Sequence, residues 1–222
     1  KLADTAVSTA KIADDAVGNT KLDLTENYAF TGTVTGAGEL NDVDLISTNH
    51  ITSASVNTCD FTSFSTDYNH LIVKIADFQP SGNNGQLIVR FQTTGSSGFS
   101  SESNAYYNTR TRVYGNSSSY TTNQSGFQAN YGVASFGINS AGNGYSTVGS
   151  HMDLYFNNIH NTARKKTYYG VFWGGGDFGS ASHQLCQSTY VGTGDTAALT
   201  GIRFLSSSGD LIGRFSLYGV RT

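Results

Sequence analysis

One proline, one methionine, one tryptophan and two cysteines are all that this chain of 222 residues holds of those four types, and each scarcity removes a class of protein. Cys59 and Cys186 lie far apart, which excludes a disulfide framework and the closely spaced thiol pairs of a zinc site. They read as buried free thiols. Charged residues make up 13% of the chain, and up to residue 45 three lysines face eight acids, against ten Lys plus Arg and eight acids after it. Neither part has the clustered positive charge that binds phosphate backbones, so no nucleic-acid partner is expected. No apolar run approaches the roughly 20 residues of a membrane-spanning helix, and membrane insertion is not expected.

What the chain does hold is glycine, 26 residues, together with 13 Tyr, 13 Phe and abundant Ser, Thr and Asn. That mixture suits short strands joined by turns. The first 22 residues, KLADTAVSTAKIADDAVGNTKL, are a repeat of ten that places Leu2, Val7, Ile12, Val17 and Leu22 at intervals of five. Five is neither a helical nor a strand period: on a helix each step turns the apolar residue by about 140°. One copy therefore makes no amphipathic element that packs on its own chain. Ala3, Ala6, Ala10, Ala13 and Ala16 permit close backbone approach, and self-association is the economical way to shield the row. Residues 1–45 are accordingly expected to form a repeat-containing shaft and connector, with a separate domain over 46–222.

In that second part Leu71, Val73 and Ile75 alternate with more polar neighbours, PSGNNG follows, and Leu87, Val89 and Phe91 alternate again, a pattern that predicts a hairpin with Pro80 in its turn. Met152, Leu154 and Phe156 with Tyr169, Val171 and Trp173 predict a second pair, and Ile202 and Phe204 with Phe215 and Leu217 a third. With no helical stripe, eight to ten strands in a sandwich or jelly roll are expected.

The decads, then YAFTGTVTGAG, then the terminal GIRFLSSSGDLIGRFSLYGVRT resemble tail-fibre and tail-tip proteins of tailed bacteriophages, particularly short-tailed phages of marine bacteria. The likeness spans almost the whole chain. It implies a homotrimer with a thin shaft and a β-rich distal head that meets the bacterial surface, attached to other phage tail proteins through its N-terminal side. The implied location is the virion, after assembly in the host cytoplasm. Lys1 opens inside a repeat without a methionine, so a longer fibre is expected to precede it.

Motifs for chemistry are sparse. GGGDFG at 174–179 fits G-x-G-x-x-G in letters, but SASHQLCQST after it has no helical stripe to hold a pyrophosphate, so a turning loop is expected. His50, His70, His151, His160 and His183 are dispersed, no calcium loop is present, and neither metal nor cofactor is expected. A glycosidase needs two opposed carboxyls, and here Asp177, Asp195 and Asp210 sit beside glycines as turn residues do. No enzyme is expected. ARKK at 163–166 reads as a solvated turn, or else as a contact for anionic groups. The stretch from Ser103 to Gly132 interleaves tyrosines with Arg, Asn and Gln, and Tyr107, Arg110, Arg112, Tyr114 and Tyr120 are its candidate ligand contacts, rings stacking on sugar and guanidinium groups bonding hydroxyls. Packing of those tyrosines within or between subunits is the competing explanation. The expected function is adhesion to a bacterial surface polysaccharide or protein, with a tailspike-like depolymerase or a purely structural virion protein as alternatives.

Overall fold

The computed structural model describes residues 43–52, 56–81, 85–116, 119–138, 150–175 and 181–221. The opening repeat, and with it the expected shaft, lies outside the described residues. Those described form an all-β fold of two antiparallel sheets, with no helix among them. In chain order the strands are β1 Val43–Ile51, β2 Thr58–Thr62, β3 Tyr68–Pro80, β4 Gly85–Thr93, β5 Tyr106–Asn116, β6 Ser119–Ala129, β7 Gly132–Ile138, β8 His151–Asn157, β9 Thr167–Gly175, β10 Ala181–Tyr190, β11 Leu199–Ser206 and β12 Leu211–Arg221. The large sheet runs β1-β12-β3-β8-β9-β10-β5-β6 and the small one β2-β11-β4-β7.

Alternation decides which side chains meet between the sheets. Leu71, Val73 and Ile75 of β3, Met152, Leu154 and Phe156 of β8, and Phe215 and Leu217 of β12 pack into one buried core with Phe61 of β2, Val89 and Phe91 of β4, and Ile202 and Phe204 of β11. Phe91 is its centre: four rings from the large sheet, Tyr106, Phe156, Tyr168 and Tyr190, meet it edge to face with centroids 5.8 to 6.1 Å away. Edge-to-face contact sets the positive rim of one ring on the negative face of the next, and each pair contributes about 0.5–1.5 kcal/mol beyond area burial.

Only one of the three predicted hairpins is a hairpin. β8 and β9 pair directly, but Phe172, Gly170 and Tyr168 stand opposite Met152, Leu154 and Phe156, so Tyr169, Val171 and Trp173 point away from the core. The other two predicted pairs are crossovers. β3 lies in the large sheet and β4 in the small, and the same holds for β12 and β11. Pro80 sits in β3 opposite Leu211, past the point where β8 stops pairing at Ile75, so no ladder on that side requires the N–H it lacks. At the edge of the large sheet, a register shift between Leu45 and Ser47 leaves Leu45 and Ile46 both exposed on β1.

Candidate functional site

The outer face of the large sheet, turned away from the small one, carries the exposed aromatic residues. β9 presents Tyr169, Val171 and Trp173; β10 presents Leu185 and Gln187; β5 presents Tyr107, Thr109 and Thr111. Exposure of 52% at Tyr107, 48% at Tyr169, 41% at Trp173 and 56% at Leu185 is high for such side chains and concentrates apolar surface on one half of the sheet.

Register turns these residues into rows across the strands. Tyr155 of β8 stands opposite Tyr169, Tyr169 opposite Gln187, Gln187 opposite Thr109, and Thr109 opposite Gly126 of β6. The rings of Tyr155 and Tyr169 stack with centroids 5.0 Å apart and planes 13° from parallel, which fixes Tyr169 as a wall. The row beside it runs Asp153, Val171, Leu185, Thr111. Between Tyr169 and Leu185 on one side and Gly126 on the other is a bay of about 600 Å³, walled by Thr109, Thr111 and Gln187. Gly126 leaves it open on the β6 side, since a glycine adds nothing above the strand.

Arg110, Gly170 and Cys186 border the bay from inward-facing positions of the same strands. Burial pushes the Cys186 thiol up to about 12, with the Gly170 carbonyl 3.7 Å from its sulfur, so this cysteine is an un-ionised packing group and not a nucleophile. None of the described outward side chains on β9, β10, β5 and β6 carries a charge. Farther along the face, on β3 and β8, Lys74 and Asp153 neutralise each other at 3.2 Å.

The tyrosine-rich stretch is a hairpin, β5 with β6, that closes the end of the large sheet, pairing Tyr106 with Ala129 through to Asn116 with Ser119. Of the predicted contacts, Tyr107 is outward and exposed, while Arg110 shares the inward parity of buried Tyr106 and Asn108. Tyr107 and Arg110 therefore do not act on one side of the sheet. Arg112 and Tyr114 lie on β5 in register with Gln184 and Ser182, and Tyr120 on β6 opposite Gly115; their side chains lie outside the described residues. Sequence reasoning missed Tyr169, Leu185 and Gln187. The available signal was the doubled aromatics Tyr168–Tyr169 and Phe172–Trp173, which supply a ring to both faces of one strand.

The basic run differs from a solvated turn at its last residue. Lys166 is 2% exposed, and its Nζ donates to the carbonyl oxygens of Asn158 (3.4 Å), Arg164 (3.3 Å) and Asn161. Arg164 and Lys165 are exposed, and Lys165 pairs with Asp195 at 2.8 Å. Gly174 and Gly175 end β9, and the rest of GGGDFG lies outside the described residues. A second hollow of about 520 Å³ sits at residues 93–102 and 190–194. Its polar groups are turned on one another: Glu102 accepts the Thr193 N–H and the Tyr190 hydroxyl donates to the Thr193 carbonyl, both at 2.8 Å. Among the described residues no three His, Cys, Asp or Glu side chains converge as metal ligands.

Comparison of the chain with family models, with curated proteins and with solved structures finds no match in any of the three.

Proposed function

We propose that this chain is a bacteriophage tail-fibre protein whose two-sheet fold, which β1 begins at Val43 and not at residue 46, forms a jelly-roll-like distal head that adheres to the bacterial surface, and whose preceding residues form a trimeric shaft joined to other tail proteins. The observation that carries the adhesion reading is the outer face of the large sheet: exposed Tyr107, Tyr169 and Trp173 among amide and hydroxyl side chains, beside an open bay. Aromatic rings with adaptable polar neighbours give recognition area at low conformational cost. The head binds a surface glycan weakly, and three copies per fibre with several fibres per particle make attachment firm. Val43, Leu45 and Ile46, exposed on edge strand β1, supply apolar surface for the other two copies.

Binding is favoured over hydrolysis because none of the residues lining the bay is a carboxylate, and four of the described carboxylates are engaged elsewhere. Asp44, Asp60, Asp153 and Asp195 each sit in an ion pair, with Arg221, Arg203, Lys74 and Lys165 respectively. A glycosidase needs one carboxyl poised as acid and another as base or nucleophile beside the scissile bond. The test is binding of the fluorescently labelled chain to a panel of marine bacterial strains. Saturable binding to a subset of strains is expected. Binding to none, with tight binding to purified tail components, would mean a structural virion protein, and depolymerised surface polysaccharide would mean an enzyme.

A further inference from the structure

The bay beside Tyr169 combines four properties that together specify a ligand. Its wall is a ring held by the Tyr155 stack with Val171 and Leu185 beside it, and its polar groups are the hydroxyls of Thr109 and Thr111 and the amide of Gln187. It is open above Gly126, and the described outward side chains around it bear no charge. Among the described residues an acidic polymer finds no outward cation there, since Arg110, which borders the bay, shares the inward parity of Tyr106 and Asn108. An apolar peptide would bury the Thr and Gln groups without returning their hydrogen bonds, at a cost of desolvation. Neutral sugars satisfy both demands, presenting C–H faces to a ring and hydroxyls to amides. The row Tyr169, Gln187, Thr109, Gly126 spans three interstrand steps, roughly 14 Å at the usual strand spacing, so it has the length of a short oligosaccharide and not of one monosaccharide.

We propose that the ligand is an uncharged linear glycan lying across the strands along this row, stacked on Tyr169 and hydrogen-bonded by Gln187, Thr109 and Thr111. This rests on the adhesion reading and adds the ligand's charge, shape and direction. An acidic glycan, an apolar peptide or a second copy of the chain on this face are the competing occupants.

Trp173, the only tryptophan of the chain, is exposed on the same face four residues along β9 from Tyr169, with Val171 between them, and so serves as an internal reporter. The full chain is titrated with neutral hexasaccharides of glucose, mannose and galactose, and with oligogalacturonate as the acidic comparison, following Trp173 emission. The blocking variant is Gly126→Leu. A Cβ at that position meets only ordinary contacts, 3.8 Å from the Asn108 carbonyl oxygen and 3.9 Å from the Thr109 methyl, so the fold tolerates it while the side chain fills the bay. Tyr169→Ala is the second variant.

Expected are a saturable emission change with at least one neutral series, none with oligogalacturonate, and a loss of affinity of tenfold or more in both variants, with melting unchanged in Gly126→Leu. Binding of oligogalacturonate alone, or neutral binding unaltered by Gly126→Leu, would overturn the proposal. So would no saccharide binding combined with a Gly126→Leu variant of lower oligomeric state by light scattering, which would put a second copy on the face. Cell binding separates the two levels: labelled protein that binds cells but no neutral glycan sinks the ligand assignment and leaves adhesion standing, whereas glycan binding without cell binding sinks adhesion and leaves the bay.

Discussion

The backbone N–H of Phe91, on the small sheet, donates to the phenolic oxygen of Tyr106, on the large one, at 2.7 Å. β7 pairs with β4 only as far as Val89, so beyond it the Phe91 N–H has no strand to bond and a side chain from the opposite sheet takes the place. The Phe91 carbonyl is satisfied by the Ser100 N–H at 2.8 Å. Tyr106→Phe keeps the ring packing and strands a buried donor, which costs about 1–3 kcal/mol. Urea denaturation is expected to show a lower midpoint with an unchanged slope; a midpoint equal to wild type would mean that another acceptor replaces the hydroxyl.

Lys166→Met tests the carbonyl cage. The substitution keeps an apolar stem of similar length and removes the donor shared by the carbonyls of Asn158, Asn161 and Arg164. A loss of about 1–3 kcal/mol is expected in the same measurement. Lys165→Met, which breaks only an exposed pair with Asp195, is expected to cost less than about 1 kcal/mol.

Both thiols are buried and free, with burial pushing Cys59 up to about 11 and Cys186 up to about 12. Alkylation needs thiolate, so iodoacetamide at pH 8 is expected to leave the native chain unlabelled and to modify both cysteines in urea, as read by intact mass. Rapid native labelling would show that the core opens locally.

Asp44 binds β1 to the far side of β12: it pairs with Arg221 at 2.8 Å and accepts from the Tyr68 hydroxyl at 3.0 Å. The Arg221 hydrogen bond, then that from Tyr68, hold its pKa below the ordinary 3.8. With the folded value depressed, the clasp's stabilisation is complete above 3.8 and is lost as pH falls through the lower folded value. Hydrogen exchange of β1 amides, corrected for intrinsic rate, is expected to accelerate on acidification through that window before the amides of β3 and β8 do. Asp44→Asn should remove the pH dependence.

Much of the inward set was legible because period-two alternation reports which face of a strand is buried. Leu71, Val73 and Ile75 and Met152, Leu154 and Phe156 are core residues by that rule alone. Alternation carries no information about the neighbouring strand, however, and a crossover between sheets keeps the same apolar parity as a hairpin. That is why β3–β4 and β11–β12 misread as pairs. At the site, Tyr107 was legible from its polar surroundings. Tyr169 was not, since the adjacent Tyr168 is the core member of the pair and the two letters are identical.

The pairing of β1 with β12, from Val43 opposite Val220 to Ile51 opposite Gly213, ties the first described strand to the last. β2 likewise waits for β11, and β3 has β12 on one side. During synthesis β1 therefore cannot register until residues up to Arg221 have left the ribosome, nor β2 until those up to Leu205 have, and loop closure over so long a separation makes folding slow. Until then β1 to β3 have unmet edges, so the ribosome-bound chain is the stage most exposed to aggregation and most dependent on chaperones.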